Sequence, residues 1–306
     1  MVSMLQTLSD NLATAAERVG RRVVAIRARR RIPSSGILWR DGVVVTAQHT
    51  IQREEDIVIT LPDGTDAPAT LAGRDPGTDL AALRLPPTNA PPGPLDVAPL
   101  EAMRAGSLVL ALGRPGTELT AALGLVSAVG EPWRTWHGGR IDRLIRLDIG
   151  IYDGFSGGPL VDAEGRVLGV NTSTLLRGAP TAVPAATVER VLGQLLEHGH
   201  VPTGYLGVGM QSVRLPEQLA RSLEPSRSIG LMVVSVDPDG PAGRGGVLLG
   251  DVITAIDDQA VSEPADMLAQ LDAARVGKAA RLGLVRAGQL ASVTVTVGQR
   301  PGGNRR

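Results

Sequence analysis

A serine set among glycines is the residue best suited to chemistry in this sequence. Ser156 lies in Gly154-Phe155-Ser156-Gly157-Gly158-Pro159-Leu160, where glycine permits a tight turn. Acyl transfer needs two backbone N–H groups directed at a developing oxyanion, and such a turn can present them. The alternative is a plain hairpin turn, which a lone Ser-Gly-Gly would favour. The apolar run that follows, with a second turn at 162–165, argues for the nucleophile.

A serine nucleophile needs a base, and the chain has four histidines. His49 ends the predicted strand 43–47, where a strand-to-loop junction can present an imidazole to a cleft. His137 lies in a glycine-rich loop, and His198 and His200 follow a predicted helix, so we expect all three at the surface. Taken alone, His49 is also typical of a structural polar residue.

The base in turn needs a carboxylate that fixes its tautomer. Asp79 directly precedes the apolar run Leu80–Leu83, whereas Asp75 is explained by its turn with Pro76 and Gly77. An isolated aspartate before a strand is usually a turn or cap residue. The order His49, Asp79, Ser156 is more specific, because it separates this chain from hydrolases in which the serine comes first.

The elements that must position these residues are mostly strands. Residues 1–20 have leucines at helical spacing and predict an amphipathic helix, and a second helix is predicted at 186–196. Short apolar runs predict strands at 23–26, 36–39, 43–46, 57–61, 80–85, 108–112, 123–129, 144–147, 160–161 and 167–171. A proline-rich stretch at 86–99 is predicted to connect two β-units. From about residue 204 a second unit adds strands, one helix at 264–274 and a terminal hairpin at 280–297.

The composition argues against several kinds of functional site and partner. Lysine plus arginine and aspartate plus glutamate are both 31, so bulk charge gives no argument for a nucleic-acid partner. The chain has no cysteine, which excludes disulfides, thiolate metal sites and a cysteine nucleophile. No apolar run approaches the roughly 20 residues that span a bilayer. The N-terminus lacks the apolar core of a signal peptide, which predicts a cytoplasmic protein, or a periplasmic or other extracytoplasmic one if the true start lies upstream.

Four segments of the chain resemble the HtrA/Deg family of trypsin-like serine proteases. They are 35–49 around the histidine, 75–81 around the aspartate, Leu123-Gly124-Leu125-Val126-Ser127-Ala128 and Ala182-Val183-Pro184. The resemblance implies a mainly β fold, a trypsin-like double β-barrel followed by a small α+β PDZ domain. The catalytic triad of His49, Asp79 and Ser156 would lie between the barrels, and no metal or other cofactor would be needed.

By the same resemblance, the N–H groups of Gly154 and Ser156 would form the oxyanion hole. Gly150 and Ile151 would form the floor of the primary specificity pocket, and Asn171 with the next two residues would form one wall. The floor has no carboxylate, so we expect cleavage after small or medium aliphatic residues rather than after lysine or arginine.

The run before the serine departs from the family pattern, which usually has Asn-Pro-Gly-Asn where this chain has Tyr152-Asp153-Gly154-Phe155. Asp153 brings a negative charge beside the predicted oxyanion hole, and Phe155 replaces a small polar residue. Phe155, the chain's one phenylalanine, is interpreted as a core residue that fixes the turn. The loop 131–142 carries Trp133 and Trp136 at the place of the family's regulatory loop, and either an interaction surface or packing on the barrel would explain them.

The second unit resembles a PDZ domain. Tyr205, Leu206, Gly207 and Val208 match the loop that binds a terminal carboxylate through successive N–H groups, with the peptide added as a strand. Met267, Leu268 or Leu271 would line the groove or form the core face of their helix. The predicted domains are therefore 1–20 (helix), 21–198 (protease) and 203–299 (PDZ).

These observations predict an ATP-independent serine endoprotease that cleaves unfolded or damaged proteins and binds hydrophobic C-termini. Its partners would be polypeptide substrates, C-terminal peptides and, by analogy with the family, two further copies in a trimer. The main alternative is a peptide-binding scaffold or chaperone with weak or no catalysis. A third is an assembly protein that acts through PDZ contacts.

Overall fold

The computed structural model describes residues 3–86, 93–99, 101, 103–176, 179–223 and 228–299. The predicted connector therefore falls partly outside the described residues, at 87–92, as do the first two residues of the predicted N-terminal helix. The chain divides into two compact units between Val201 and Pro202.

The first unit begins with helix α1 (Met4–Gly20) and ends with helix α2 (Ala185–His198). Its strands in the first half are β1 (Val23–Arg27), β2 (Ser34–Arg40), β3 (Val43–Ala47), β4 (Ile57–Thr60), β5 (Asp66–Asp75) and β6 (Leu80–Arg84). Those in the second half are β7 (Leu108–Gly113), β8 (Thr120–Val129), β9 (Trp133–Arg134), β10 (Arg140–Ile141), β11 (Ile145–Asp148), β12 (Pro159–Asp162), β13 (Val167–Thr172) and β14 (Thr181–Pro184).

These strands form two closed six-stranded barrels. The first has the order β1-β2-β3-β6-β5-β4 and the second the order β11-β14-β13-β12-β7-β8, while β9 and β10 form a separate hairpin. Strands β2 and β3 are joined by a turn in which Gly42 has φ +63°, a left-handed conformation that glycine adopts without steric cost. This double barrel is the fold that the sequence predicted.

Each barrel has its own apolar core, and a third core joins the barrels to the helices. Helix α2 contributes to this shared core through residues at i, i+3, i+4 and i+7, which are Val188, Val191, Leu192 and Leu195. Trp39 of β2 is 3% exposed and donates its indole N–H to Glu189 of α2. The helix is thereby held against the first barrel, and it ends at Gly199, which has φ +76°.

The second unit is a small α+β domain. Its elements are β15 (Gly204–Tyr205), β16 (Val208–Arg214), α3 (Glu217–Ser222), β17 (Ile229–Val236), α4 (Pro241–Arg244), β18 (Val252–Ile256), β19 (Gln259–Ala260), α5 (Pro264–Gln270), β20 (Ala279–Arg286), β21 (Gln289–Thr296) and β22 (Gly298–Gln299). The main sheet has the order β16-β17-β18-β20-β21, so β16 is an edge strand. Helix α5 is shorter than predicted, because the chain leaves the α-helix at Leu271 and makes only a 3₁₀ turn at Ala273–Arg275.

Candidate active site

The candidate base lies immediately after β3. His49 is in a 3₁₀ turn (Gln48–Thr50), and its side chain is 27% exposed. Gln48 donates its N–H to the Asp79 carbonyl at 3.0 Å, and His49 donates its own N–H to Asp79 Oδ1 at 2.9 Å. The first contact joins two backbone groups and the second joins the His49 backbone to the Asp79 carboxylate, so the two segments are held together without any contact of the His49 ring.

Asp79 lies just before β6, and its side chain is 4% exposed. His49 Nδ1 lies 2.8 Å from Asp79 Oδ2 and 3.1 Å from Oδ1. Two further donors reach the same carboxylate, the hydroxyls of Thr172 and Thr174, the latter at 2.8 Å. Asp79 also has φ +57°, a left-handed conformation that aspartate tolerates better than most residues.

Burial by itself would raise the pKa of the Asp79 carboxyl. The hydrogen bonds and charge of His49 and the Thr172 hydroxyl more than offset burial, so this pKa lies below its ordinary value of 3.8. An ionised carboxylate only accepts hydrogen bonds, so His49 Nδ1 must carry the proton that Asp79 accepts. Nε2 of the neutral ring then remains as an acceptor, which is the state a general base needs.

Ser156 lies in the turn that precedes β12 and is 8% exposed. Its hydroxyl is 3.4 Å from the Ser173 hydroxyl, and within the described ranges it makes no hydrogen bond to His49. Catalytic hydrogen bonds are often long or misaligned until substrate binds. The two segments are nevertheless close, since a methyl group added at Gly157 would lie 2.9 Å from the N atom of Ala47, two residues before His49.

The backbone around Ser156 leaves two donors available. Phe155, Gly157 and Gly158 each donate their N–H, to the carbonyls of Tyr152, Asn171 and Phe155 respectively, at 2.9–3.0 Å. The N–H groups of Gly154 and Ser156 donate to no residue in the part of the chain that the structure describes. These are the two groups that the sequence predicted for an oxyanion hole. Buried N–H groups are rarely left unpaired in proteins, so such a pair suits an incoming oxyanion.

The departures from the family pattern have different surroundings. Phe155 is 1% exposed and belongs to the core of the second barrel. This position agrees with its interpretation as a core residue that fixes the turn. Asp153 is exposed to solvent. The ring of Tyr152 contacts Phe155 edge-on, with 5.7 Å between the ring centroids.

The residues predicted for the specificity pocket have different surroundings. The Asn171 side chain is fully buried and donates to the Pro159 carbonyl at 2.8 Å, so it braces the strand that follows the serine turn, and the predicted wall would use the Asn171 backbone. Gly150 is exposed and Ile151 is half-buried. A methyl group added at Gly150 would lie 3.0 Å from the Tyr152 hydroxyl oxygen, so the Tyr152 ring lies beside the predicted floor.

Sequence reasoning missed Thr172 and Thr174 as partners of Asp79. A threonine at the end of a strand is ordinary, and no spacing rule links it to an aspartate about 93 residues earlier.

The sequence also left open whether the loop 131–142 is an interaction surface or packs on the barrel, and its two tryptophans differ. Trp133 is half-buried and packs against the shared core, whereas Trp136 is 88% exposed.

In the second unit, the predicted carboxylate loop lies between β15 and β16. Gly207 has φ +78°, and the N–H groups of Leu206 and Gly207 have no hydrogen-bond acceptor among the described residues. Met267 and Leu271 are buried in the core of this unit, whereas Leu268 is half-exposed. Of the three candidate groove residues, Leu268 is therefore the one with surface available to a ligand.

Within the described residues there is no cluster of three or more histidine, aspartate or glutamate side chains that could hold a metal ion. None of the described helices is long and apolar enough to cross a membrane.

Comparison with known proteins identifies both units. Residues 34–170 match the trypsin-like peptidase domain, and residues 204–297 match the PDZ domain. The probable periplasmic serine endoprotease DegP-like of Brucella suis biovar 1 is 34% identical over 277 residues, which cover 88% of this chain and 52% of the relative. The protein of the same name from Halomonas elongata is 33% identical, with 89% and 57% covered. The chain thus spans about half the length of the curated relatives it matches.

The names of these relatives contradict the cytoplasmic location expected from the N-terminus. That expectation is wrong, and the relatives point to the periplasm instead. It was based on residues 1–20, of which Met4–Gly20 form the folded helix α1, and a folded helix carries no information about compartment.

Solved structures extend the likeness to the three-dimensional fold. The HtrA-type protease AlgW, solved with a decapeptide, has 30% sequence identity and a TM-score of 0.76 over 95% of this chain and 99% of that one. Agreement in sequence, in the order of the two domains and in fold shows that the chain belongs to the HtrA family of trypsin-like serine proteases with a PDZ domain.

Proposed function

We propose that the protein is a serine endoprotease in which Ser156 attacks the peptide carbonyl, His49 acts as general base and then general acid, and Asp79 orients His49. The observation that carries the proposal is the set of donors on Asp79, which keeps this carboxylate ionised and so fixes the proton on His49 Nδ1. Nε2 then takes the hydroxyl proton as the Ser156 oxygen bonds to the substrate carbonyl carbon. It later returns that proton to the leaving amine, and water hydrolyses the acyl-enzyme.

The oxyanion of the tetrahedral intermediate would accept hydrogen bonds from the N–H groups of Gly154 and Ser156. This role is supported by the lack of any other acceptor for them among the described residues. Asp153 is exposed, so solvent screens its charge, and Phe155 supports the turn from the core. Neither departure therefore favours an inactive scaffold.

The substrates would be unfolded or damaged polypeptides cleaved after small or medium aliphatic residues, outside the cytoplasm. The Tyr152 ring beside Gly150 supports this preference, since it takes up space next to the predicted pocket floor. No acidic side chain lies in the floor segment Gly150–Ile151, which leaves a bound lysine or arginine without a counter-charge.

The test is digestion of an unfolded protein, with cleavage sites read by mass spectrometry, together with labelling by a fluorophosphonate. We expect turnover and a single adduct in the wild type, and neither in Ser156→Ala or His49→Ala, at unchanged thermal stability. Equal turnover in Ser156→Ala, or folded wild type that is neither active nor labelled, would refute the proposal. Cleavage mainly after lysine or arginine would refute the specificity alone.

The PDZ unit would bind hydrophobic C-terminal peptides. The terminal carboxylate would accept from the N–H groups of Leu206 and Gly207, in the predicted loop Tyr205–Val208, and the peptide would add as a strand beside β16. Calorimetry with a free-acid peptide and its C-terminal amide tests this, because only the free acid should bind tightly.

A homotrimer is proposed by analogy with the family. Helix α1 exposes Met4 and Leu5 (88% and 79%), an apolar end that assembly would cover. Light scattering in solution would give three times the 31.8 kDa chain mass if the proposal is right, and the chain mass itself if it is wrong.

A further inference from the structure

A fully buried serine hydroxyl joins the first barrel to the turn that carries the proposed nucleophile. Ser35 lies on β2 and is 0% exposed. Its Oγ lies 2.7 Å from the backbone N of Arg114 and 2.6 Å from the Gly154 carbonyl oxygen. The Arg114 N–H can only donate and the Gly154 carbonyl can only accept, so the direction of the Ser35 hydroxyl proton is determined.

This contact acts on one particular peptide group. The peptide between Gly154 and Phe155 accepts from Ser35 at its carbonyl and donates its N–H to the Tyr152 carbonyl at 3.0 Å. Because a peptide group is planar, holding both of its ends fixes the Cα atoms of Gly154 and Phe155, from which the backbone continues on either side. The groups on either side are the N–H of Gly154 and the N–H of Ser156, the proposed oxyanion donors.

The turn needs such an external restraint. Gly154 has φ +94°, and glycine populates several backbone regions at similar energy, so its own preferences do not keep the peptide in one orientation. The Ser35 backbone adds to the restraint, since its N–H donates to the Ser156 carbonyl at 3.3 Å. Its carbonyl accepts the Thr46 hydroxyl at 2.7 Å, which fixes Ser35 relative to β3.

Arg114, whose backbone N–H donates to the Ser35 hydroxyl, is also held in place. Arg114 is 6% exposed, and its guanidinium donates to the carbonyls of Val23 at 2.7 Å, Gly20 at 3.1 Å and Thr117. The backbone of Arg114 therefore has little freedom to follow the serine turn if that turn moves. Gly20 is the last residue of α1 and Val23 the first of β1, so the Ser35 hydroxyl links the Gly154 carbonyl to a backbone group that these two elements hold in place.

We propose that Ser35 is a positioning residue for the protease reaction, whose hydroxyl holds the Gly154–Phe155 peptide so that both neighbouring N–H groups face the substrate oxyanion. The inference rests on the proposed function and adds to it the group that orients the oxyanion hole. Without the hydroxyl, the buried Gly154 carbonyl loses its partner, and rotation of the peptide toward another donor becomes favourable.

The chain provides a matched control next to this residue. Ser34 lies on the same strand and is also 0% exposed, but its hydroxyl has no hydrogen-bond partner in the described structure. Ser35→Ala and Ser34→Ala remove the same atom from equally buried neighbours. A general effect of losing a core hydroxyl should appear in both variants, whereas an effect on the turn should appear only in the first.

Steady-state kinetics on a peptide substrate, with amide hydrogen exchange of Phe155, would test the proposal. We expect Ser35→Ala to lower kcat by about 10²-fold, the order of loss from a misplaced catalytic group, with KM within about twofold. Ser34→Ala should change neither constant. The Phe155 amide should exchange faster in Ser35→Ala only. If Ser35→Ala fails to fold, Ser35→Cys keeps the size of the side chain but donates weakly, and the same losses are expected.

A folded Ser35→Ala or Ser35→Cys with wild-type kcat and wild-type Phe155 exchange would overturn the positioning role and leave the protease proposal intact. Equal kcat losses in both alanine variants would also overturn it. Failure of the proposed function is seen separately, in wild-type protein that shows no turnover. The exchange measurement still decides in that case whether Ser35 holds the turn.

Discussion

At the scale of single residues, Asp79 receives more hydrogen bonds than an aspartate at the start of a strand needs. His49 donates from both its backbone and its ring, and the hydroxyls of Thr172 and Thr174 add two further donors. The left-handed backbone of Asp79 is an uncommon conformation that these partners hold in place. A residue restrained on so many sides is suited to orienting a second side chain.

Replacing Asp79 by asparagine should separate orientation from the rest of the chemistry. An amide can present N–H groups to His49 Nδ1, which moves the ring proton to Nε2 and removes the base. We expect kcat in Asp79→Asn to fall by about 10⁴-fold. Asp153→Asn removes an exposed carboxylate from the serine turn and should leave kcat within about threefold. Kinetics on both variants would check this, and a loss below tenfold in Asp79→Asn would contradict the assigned role.

Sequence reasoning found the segments around His49, Asp79 and Ser156 because glycines, a strand end and chain order mark them. It could not find Thr174, whose hydroxyl reaches Asp79 only after the two barrels close on each other. Nor could it predict that the Asn171 side chain donates to the Pro159 carbonyl, because the direction of a side chain depends on strand register, which one sequence does not determine.

At the scale of elements, the β9–β10 hairpin packs on the turn that leads to Asp79. The Thr135 hydroxyl donates to the Gly77 carbonyl at 2.6 Å. Gly139 is so close to Gly77 that a methyl group at 139 would overlap the Gly77 carbonyl group. Asp75 closes the same turn by accepting from the N–H groups of Gly77 and Thr78, each at 3.0 Å. The hairpin that exposes Trp136 is thus in direct contact with the support of Asp79.

Gly139→Ala should therefore disturb both stability and turnover. The added methyl must displace the turn or the hairpin, and overpacking of this kind costs about 1–3 kcal/mol of unfolding free energy. We also expect a lower kcat, because the displaced turn holds Asp79. Gly116→Ala, at a loop glycine with no atom within 4 Å of the added methyl, should change stability by less than about 0.5 kcal/mol. Urea unfolding would measure the change in stability, and activity assays would measure kcat. A Gly139→Ala variant with wild-type stability and wild-type kcat would refute this role of the contact.

Most strands could be predicted because they are apolar runs between turns, but β5 was missed. This ten-residue strand (Asp66–Asp75) is rich in small residues and contains Pro68, which lowers any strand signal. It forms only because β4 and β6 pair with it to close the first barrel. Helix α3 was also missed, because it is six residues long and has no buried residue to give an apolar pattern.

At the scale of the whole molecule, both units contain carboxyls that favour the ionised state. In the first unit the pKa of Asp79 is lowered, and in the second a hydrogen bond from Arg286 lowers the pKa of Asp251. A carboxyl whose pKa is lower in the folded than in the unfolded chain stabilises the fold above the unfolded value of about 3.9. That contribution is lost as pH falls through the folded pKa.

The urea midpoint of unfolding should accordingly change little from pH 7 to about pH 5 and fall below about pH 4. Circular dichroism across this range measures it. Asp79→Asn, which lacks one of the responsible carboxyls, should show a shallower fall than the wild type. If the urea midpoint instead rises as pH falls from 5 to 3, the change is opposite to the expected one and this account of acid sensitivity is ruled out.

The placement of the three tryptophans has a spectroscopic consequence. Trp39, Trp133 and Trp136 all belong to the first unit, and the second unit has none. Intrinsic tryptophan fluorescence therefore monitors the protease unit alone, with Trp39 sensing whether α2 remains packed on the first barrel. The PDZ unit emits no such signal, so a tryptophan-free peptide that binds only there and alters the emission spectrum must have changed the environment of a tryptophan in the other unit.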